Sequence, residues 1–101
     1  MALSVVGAEK TGGVLMITVE GDDVSEVTSA EARKVAYEER GKHGFDNSGI
    51  EAYGGPFPVD TTMEDENGKL GRPLGPNDMK EASFRMHDIR YRNTFRLTRG
   101  I

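Results

Sequence analysis

The chain has no cysteine and no tryptophan. Without cysteine, no disulfide can staple the fold and no thiolate can hold zinc or an iron–sulfur cluster. The same absence fits a reducing compartment. The opening run Met1-Ala2-Leu3-Ser4-Val5-Val6-Gly7 lacks a basic leader and is too short for a signal h-region, so no cleaved signal is expected. No stretch approaches the roughly 20 apolar residues of a membrane-spanning helix. These readings place the chain in the cytoplasm, or inside a particle or complex. Large apolar side chains are also scarce, with Leu, Ile, Val and Phe numbering 21 of 101 residues. That is close to the composition at which charged chains stop folding alone, so a thin core is expected, and a partner's surface would complement it.

Catalytic patterns are missing as well. There is no Gly-rich phosphate loop and no Gly-x-Ser-x-Gly elbow, and a cysteine nucleophile is excluded. The two histidines, His43 and His87, lie too far apart in sequence to make a local metal site. His43 with Asp46 is the remaining acid–base pairing, and it has no motif specificity. The cluster Asp60, Glu64, Asp65, Glu66 lacks the alternating oxygen ligands of a calcium loop, and Gly68 falls in the wrong place for that loop's glycine. The chain is therefore expected to be non-enzymatic and to need no metal or cofactor.

What the sequence does have is a charge asymmetry. The net charge is −4, but residues 1–81 hold eight basic against sixteen acidic residues, whereas residues 82–101 hold five arginines and one aspartate. A basic end on an acidic body is an interaction signature. The tail has three candidate acceptors: an acidic protein surface, nucleic-acid phosphates, or the chain's own carboxylates. Nucleic acid is disfavoured by the −8 charge of the body, because such footprints are usually basic overall.

Local patterns predict a small α+β chain. Leu3–Ala8 and the β-branched run Val14–Val19 read as a hairpin joined by a loop over 9–13. Asp23 with Glu26, and Thr28 with Glu31, both have capping-box spacing. They predict one helix from the mid-twenties to Arg40, closed by Gly41. Its apolar face is meagre, so it should lie on a sheet. Residues 41–77 hold eight glycines and all four prolines, yet carry Phe45, Ile50, Tyr53, Phe57, Val59, Leu70 and Leu74. This predicts a long extended arm with apolar pegs, or else a long flexible loop (42–77), interrupted by a turn at Asn67-Gly68. A helical turn is expected near Asn77, and a bulge near Asp88. From Ile89 to Thr98 the residues alternate strictly, which predicts a strand with Ile89, Tyr91, Asn93, Phe95 and Leu97 on one side and Arg90, Arg92, Thr94, Arg96 and Thr98 on the other. The expected organisation is thus a hairpin plus helix (1–41), the arm, and an Arg/aromatic C-terminal strand (78–101) completing the small sheet.

Arginine rather than lysine matters in that tail, because its planar fork grips carboxylates and phosphates in pairs and stacks on rings. Arg85, Arg90, Tyr91, Arg92, Phe95, Arg96 and Arg99 are therefore candidate partner-binding residues, with Phe45, Tyr53, Phe57 and Leu74 of the arm. The segment Arg92-Asn93-Thr94-Phe95-Arg96-Leu97-Thr98 resembles a basic strand of small phycobilisome linker proteins, a resemblance that implies an assembly role. A Gly/Pro-rich arm on a small sheet also suits virion neck, tail or decoration proteins. The expected function is a non-catalytic structural or adaptor subunit that docks onto a larger, homo- or hetero-oligomeric protein assembly. The alternatives are a nucleic-acid-binding protein using the basic tail, or a small subunit of an enzyme complex.

Overall fold

A computed structural model describes residues 3–75, 78 and 89–99. The expected helical turn near Asn77, the bulge near Asp88, His87 and Arg85 lie outside the described residues. Among the described residues the architecture is α+β: one five-stranded antiparallel sheet with two short helices against it, in the spatial order β1-β2-β5-β3-β4. The strands are β1 (Ser4–Thr11), β2 (Val14–Gly21), β3 (Ser48–Glu64), β4 (Leu70–Pro73) and β5 (Ile89–Arg99).

The β1–β2 hairpin closes more tightly than its sequence suggested. Thr11 pairs with Val14, leaving a two-residue turn in which Gly12 takes φ 61°. Glycine adopts that value without a Cβ clash, and such turns match the twist of paired strands. Leu15, Ile17 and Val19 of β2 are fully buried, and the residues between them face the other way.

The expected single helix is two: α1 (Val24–Val27) and α2 (Ala30–Glu39). Asp23 caps α1 by accepting from the Glu26 N–H at 2.8 Å, while the Glu26 carboxylate reaches back to the Asp22 N–H at 2.9 Å. At Thr28 the chain turns, and Ser29 rather than Thr28 caps α2, accepting from the Ala32 N–H at 3.1 Å. Two caps six residues apart, Asp23 and Ser29, break the helix instead of extending it. Arg40–His43 then continues as a 3-10 turn, so the left-handed stop falls at Gly44 (φ 75°) and not at Gly41. Gly21 lets α1 approach the end of β2: a Cβ there would lie 3.0 Å from Val27 and 3.1 Å from Leu3.

The expected arm is, over much of its length, a strand of the sheet. Residues 48–64 form the longest strand of the sheet, β3, paired with β5 along most of its length and with β4 near its end. The register shifts between Tyr53 and Phe57, where Gly54 (φ 77°), Gly55 and Pro56 make a bulge. These residues suggested irregular chain, but this stretch of β3 lies outside its pairing with β4 and forms the sheet's edge, where proline and glycine are tolerated at a bulge. Asn67-Gly68 does turn the chain, with Gly68 at φ 78° between β3 and β4.

β5 lies at the centre, between β2 and β3, with the alternation read from the sequence. Phe95 and Leu97 join Leu15, Ile17, Val19, Ala32, Ala36 and Phe45 in one core beneath the helices. Asn93, on the same side, donates from Nδ2 to the Val27 carbonyl at 3.0 Å and so satisfies an acceptor at the end of α1. Among the described residues, no helix is long and apolar enough to cross a membrane.

Candidate docking face

The helices cover only one side of the sheet. On the other, β5 presents Arg90, Arg92, Thr94 and Arg96, and β2 presents Met16, Thr18 and Glu20 beside them. Pairing places Glu20 opposite Arg92, Thr18 opposite Thr94, and Tyr53 of β3 opposite Thr94 on the far side. This is the face the β5 alternation singled out.

Its arginines, and Arg99 on the helix side of the sheet, are already engaged. The Arg92 Nε donates to Glu20 Oε2 at 3.0 Å, and the Arg90 Nε lies 3.5 Å from Glu20 Oε1, so one carboxylate bridges two guanidinium groups. The Glu20 and Arg92 side chains are only 14% and 18% exposed, which strengthens the pairing over a surface ion pair. Arg90 also pairs with Asp22. Arg96 donates from Nε to Glu51 at 2.7 Å and sits 5.3 Å from the Tyr53 ring centre. Arg99 donates to the Gly44 carbonyl at 3.2 Å and stacks 4.5 Å from the Phe45 ring centre. Of the three acceptors open to the tail on sequence grounds, its own chain holds four arginines.

The aromatic candidates separate by burial. Phe45 and Phe95 are core residues, buried beneath the helices, and neither is presented to a partner. Tyr91 and Leu74 are half-buried, and the Leu74 N–H closes the β3 edge by donating to the Pro58 carbonyl at 3.0 Å. Tyr53 is 50% exposed, and half-buried Phe57 pairs with Arg92 on the open face. The structure thus brings Tyr53, Phe57, Arg92 and Arg96 together and sends Phe45 and Phe95 elsewhere.

The sheet curls so that residues of both its edges line one hollow on this face. A trough of about 410 Å³ runs between β1 (Val6 to Glu9) and the β3–β4 hairpin (Asp65 to Pro73), with Phe57 and Arg92 in its floor. A second hollow of about 290 Å³ continues it past Gly7, Thr18, Met16, Thr94 and Tyr53. Two features hold the hairpin over the sheet. The Arg92 Nη2 donates to the Leu70 carbonyl at 3.4 Å, and Gly71 (φ 112°) has no Cβ to collide with the guanidinium. At the hairpin's turn, Asp65 accepts from the Lys69 and Asn67 N–H groups. Those bonds, the Lys69 one foremost, hold its carboxyl below the usual carboxylate range, helped by the positive charges of Lys69 and Arg92.

Gly7, Met16, Thr18 and Thr94 were not among the sequence candidates. Thr18 and Glu20 were the available signal, because polar residues alternating with Ile17 and Val19 mark a second, solvent-facing side of a strand otherwise read as continuously apolar. His43 Nε2 lies 3.4 Å from Glu39 Oε2, one turn back on the helix, so the His43–Asp46 pairing gives way to a helix-end contact. No group of acidic and histidine side chains suited to a metal ion occurs among the described residues. No family model, curated protein or solved structure matches the chain.

Proposed function

We propose that the chain is a non-catalytic docking subunit that binds another protein of a larger assembly across the open face of its sheet. The observation that carries this reading is the trough: a concave strip of Phe57, Tyr53, Met16, Thr18 and Thr94, backed by Arg92 and left open by the described elements. Aromatic and arginine side chains set in a concave surface are the common anchors of protein interfaces. The adaptor role expected from the sequence thus belongs to a sheet face and not to an arm. Arg90, Arg92 and Arg96 rigidify that face and are not free charges reaching for an acidic surface. For the same reason nucleic acid is the weaker partner, since three of the cations that would meet phosphates are neutralised by Glu20, Asp22 and Glu51. The setting is the cytoplasm or the interior of a multi-subunit particle.

The test uses Gly7→Leu. A Cβ at Gly7 would meet only Thr18, at 3.7 Å, and the position does not need a positive φ. The leucine side chain therefore fills the trough without disturbing the fold. The partner is captured from the native source with the wild-type chain, purified, and titrated against both proteins. Gly7→Leu should keep the thermal midpoint and lose most of the affinity. Unchanged affinity would refute the open face as the docking surface.

A further inference from the structure

The two outer edges of the sheet are built differently. The β3–β4 edge is blocked repeatedly: Arg33 takes up the Ile50 carbonyl at 3.1 Å, Gly54-Gly55-Pro56 bulges the strand, the Leu74 N–H occupies the Pro58 carbonyl, and β4 is four residues long and ends in Pro73. These are the means by which proteins close an edge to pairing. β1 has no proline, and among the described residues no hydrogen bond reaches it from any element other than β2. Its irregularity, at Val6, lies toward the strand's start and leaves Gly7–Thr11 in regular register.

That register defines what the edge offers. In a two-residue hairpin closed by Thr11 and Val14, the residues exchanging bonds with β2 are Thr11, Glu9 and Gly7. The N–H and C=O groups of Ala8 and Lys10 then point away from the sheet. Strand alternation puts Gly7 and Glu9 on the open face, where both line the trough. Gly7 carries no side chain there, so a large residue across from it can lean over Gly7 onto Thr18. Glu9, two residues on, has no ion pair among the described residues, whereas Arg92 in the floor is matched by Glu20 and the far rim carries Asp65 together with Lys69. The uncompensated charge at the β1 rim is therefore negative, on a chain of net charge −4.

We infer that β1 receives an extended segment of the partner as a sixth strand, one that carries an aromatic or large apolar side chain opposite Gly7 and a lysine or arginine two residues away opposite Glu9. Backbone bonds to Ala8 and Lys10 supply the pairing, the apolar side chain fills the trough, and the basic side chain answers Glu9. The inference rests on the docking-face reading and specifies the partner's chemistry.

The experiment titrates the isotope-labelled full chain with three capped strand peptides: one with Phe and Lys two residues apart in a Thr/Val background, one with Glu replacing Lys, and one with Lys but N-methylated along the pairing edge. The Lys peptide should shift the amides of Ala8 and Lys10 and the signals of Thr18 and Phe57. The Glu peptide should bind about three- to tenfold more weakly at low salt, the size of exchanging an opposed for a like cross-strand charge pair. The N-methylated peptide should not bind. Lys10→Pro removes an outward N–H and no bond within the fold, so it should abolish binding with little change in thermal midpoint. Equal binding of the Lys and Glu peptides, binding of the N-methylated peptide, shifts confined to the β3–β4 edge, absence of binding, or concentration-dependent self-association through β1 would each overturn the inference. If Gly7→Leu still weakens the captured partner while the peptides fail, the docking face stands and only the added strand falls.

Discussion

Replacing Phe45 with alanine separates a core residue from a docking peg. The ring follows the Gly44 stop, is 0% exposed, and packs into the cluster built on Leu15, Ile17 and Leu97, with the Arg99 guanidinium above it. Removing it deletes an aromatic side chain and leaves a cavity that the short α2 can only partly close, a loss of about 3–5 kcal/mol. A domain of this size is stable by roughly 5–15 kcal/mol, and a thin core belongs at the low end, so a third or more of the stability should go. In urea, with a slope of about 2 kcal/mol per molar, the midpoint should fall by about 1.5–2.5 M at unchanged slope. Tyr53→Ala is the matched control. Its ring is half exposed and makes one arginine contact, so it should cost less than about 1 kcal/mol. A Phe45→Ala midpoint within about 0.3 M of wild type would refute the placement of this residue, and with it the assignment of the Gly44–Ser48 corner to the core.

Gly71→Ala forces a Cβ against the Arg92 guanidinium from a backbone at φ 112°, and should destabilise by about 1–3 kcal/mol. Thermal unfolding in an Arg92→Ala background checks the cause: the cost of Gly71→Ala should shrink there, and equal costs in both backgrounds would exclude the clash. Asp23 supplies a pH prediction. The Ser25 hydroxyl, then the Glu26 N–H, hold its carboxyl below the ordinary range, so the folded chain releases that proton more readily than the unfolded chain. The resulting stabilisation is complete above the ordinary carboxylate pKa and is lost as the pH falls through the lowered folded value. Asp23→Asn keeps a capping oxygen but cannot titrate, so urea midpoints measured between about pH 5 and pH 2 should fall less steeply than in wild type. An identical acid dependence would remove Asp23 from the account.

The sequence by itself determined the elements whose signals are local. Val14–Val19 announces a buried strand, Asp23 and Glu26 announce a helix start, and the alternation from Ile89 to Thr98 assigns each side chain of β5 to its face. These follow from one residue's spacing to the next and need no knowledge of the rest of the chain. Tertiary structure decided what depends on distant partners. Residues 48–64 look like loose chain because glycine and proline weaken a strand in isolation. They become β3 only because β5, about forty residues later, offers a complete row of hydrogen-bonding groups. Composition likewise showed that Arg90, Arg92 and Arg96 were arginines near many carboxylates. It could not show that Glu20, Asp22 and Glu51 would be their partners, because each pair spans 45 or more residues and exists only once β2, β5 and β3 lie side by side. The trough has the same origin: no local pattern places Gly7 across from Phe57, and the curl of the whole sheet does.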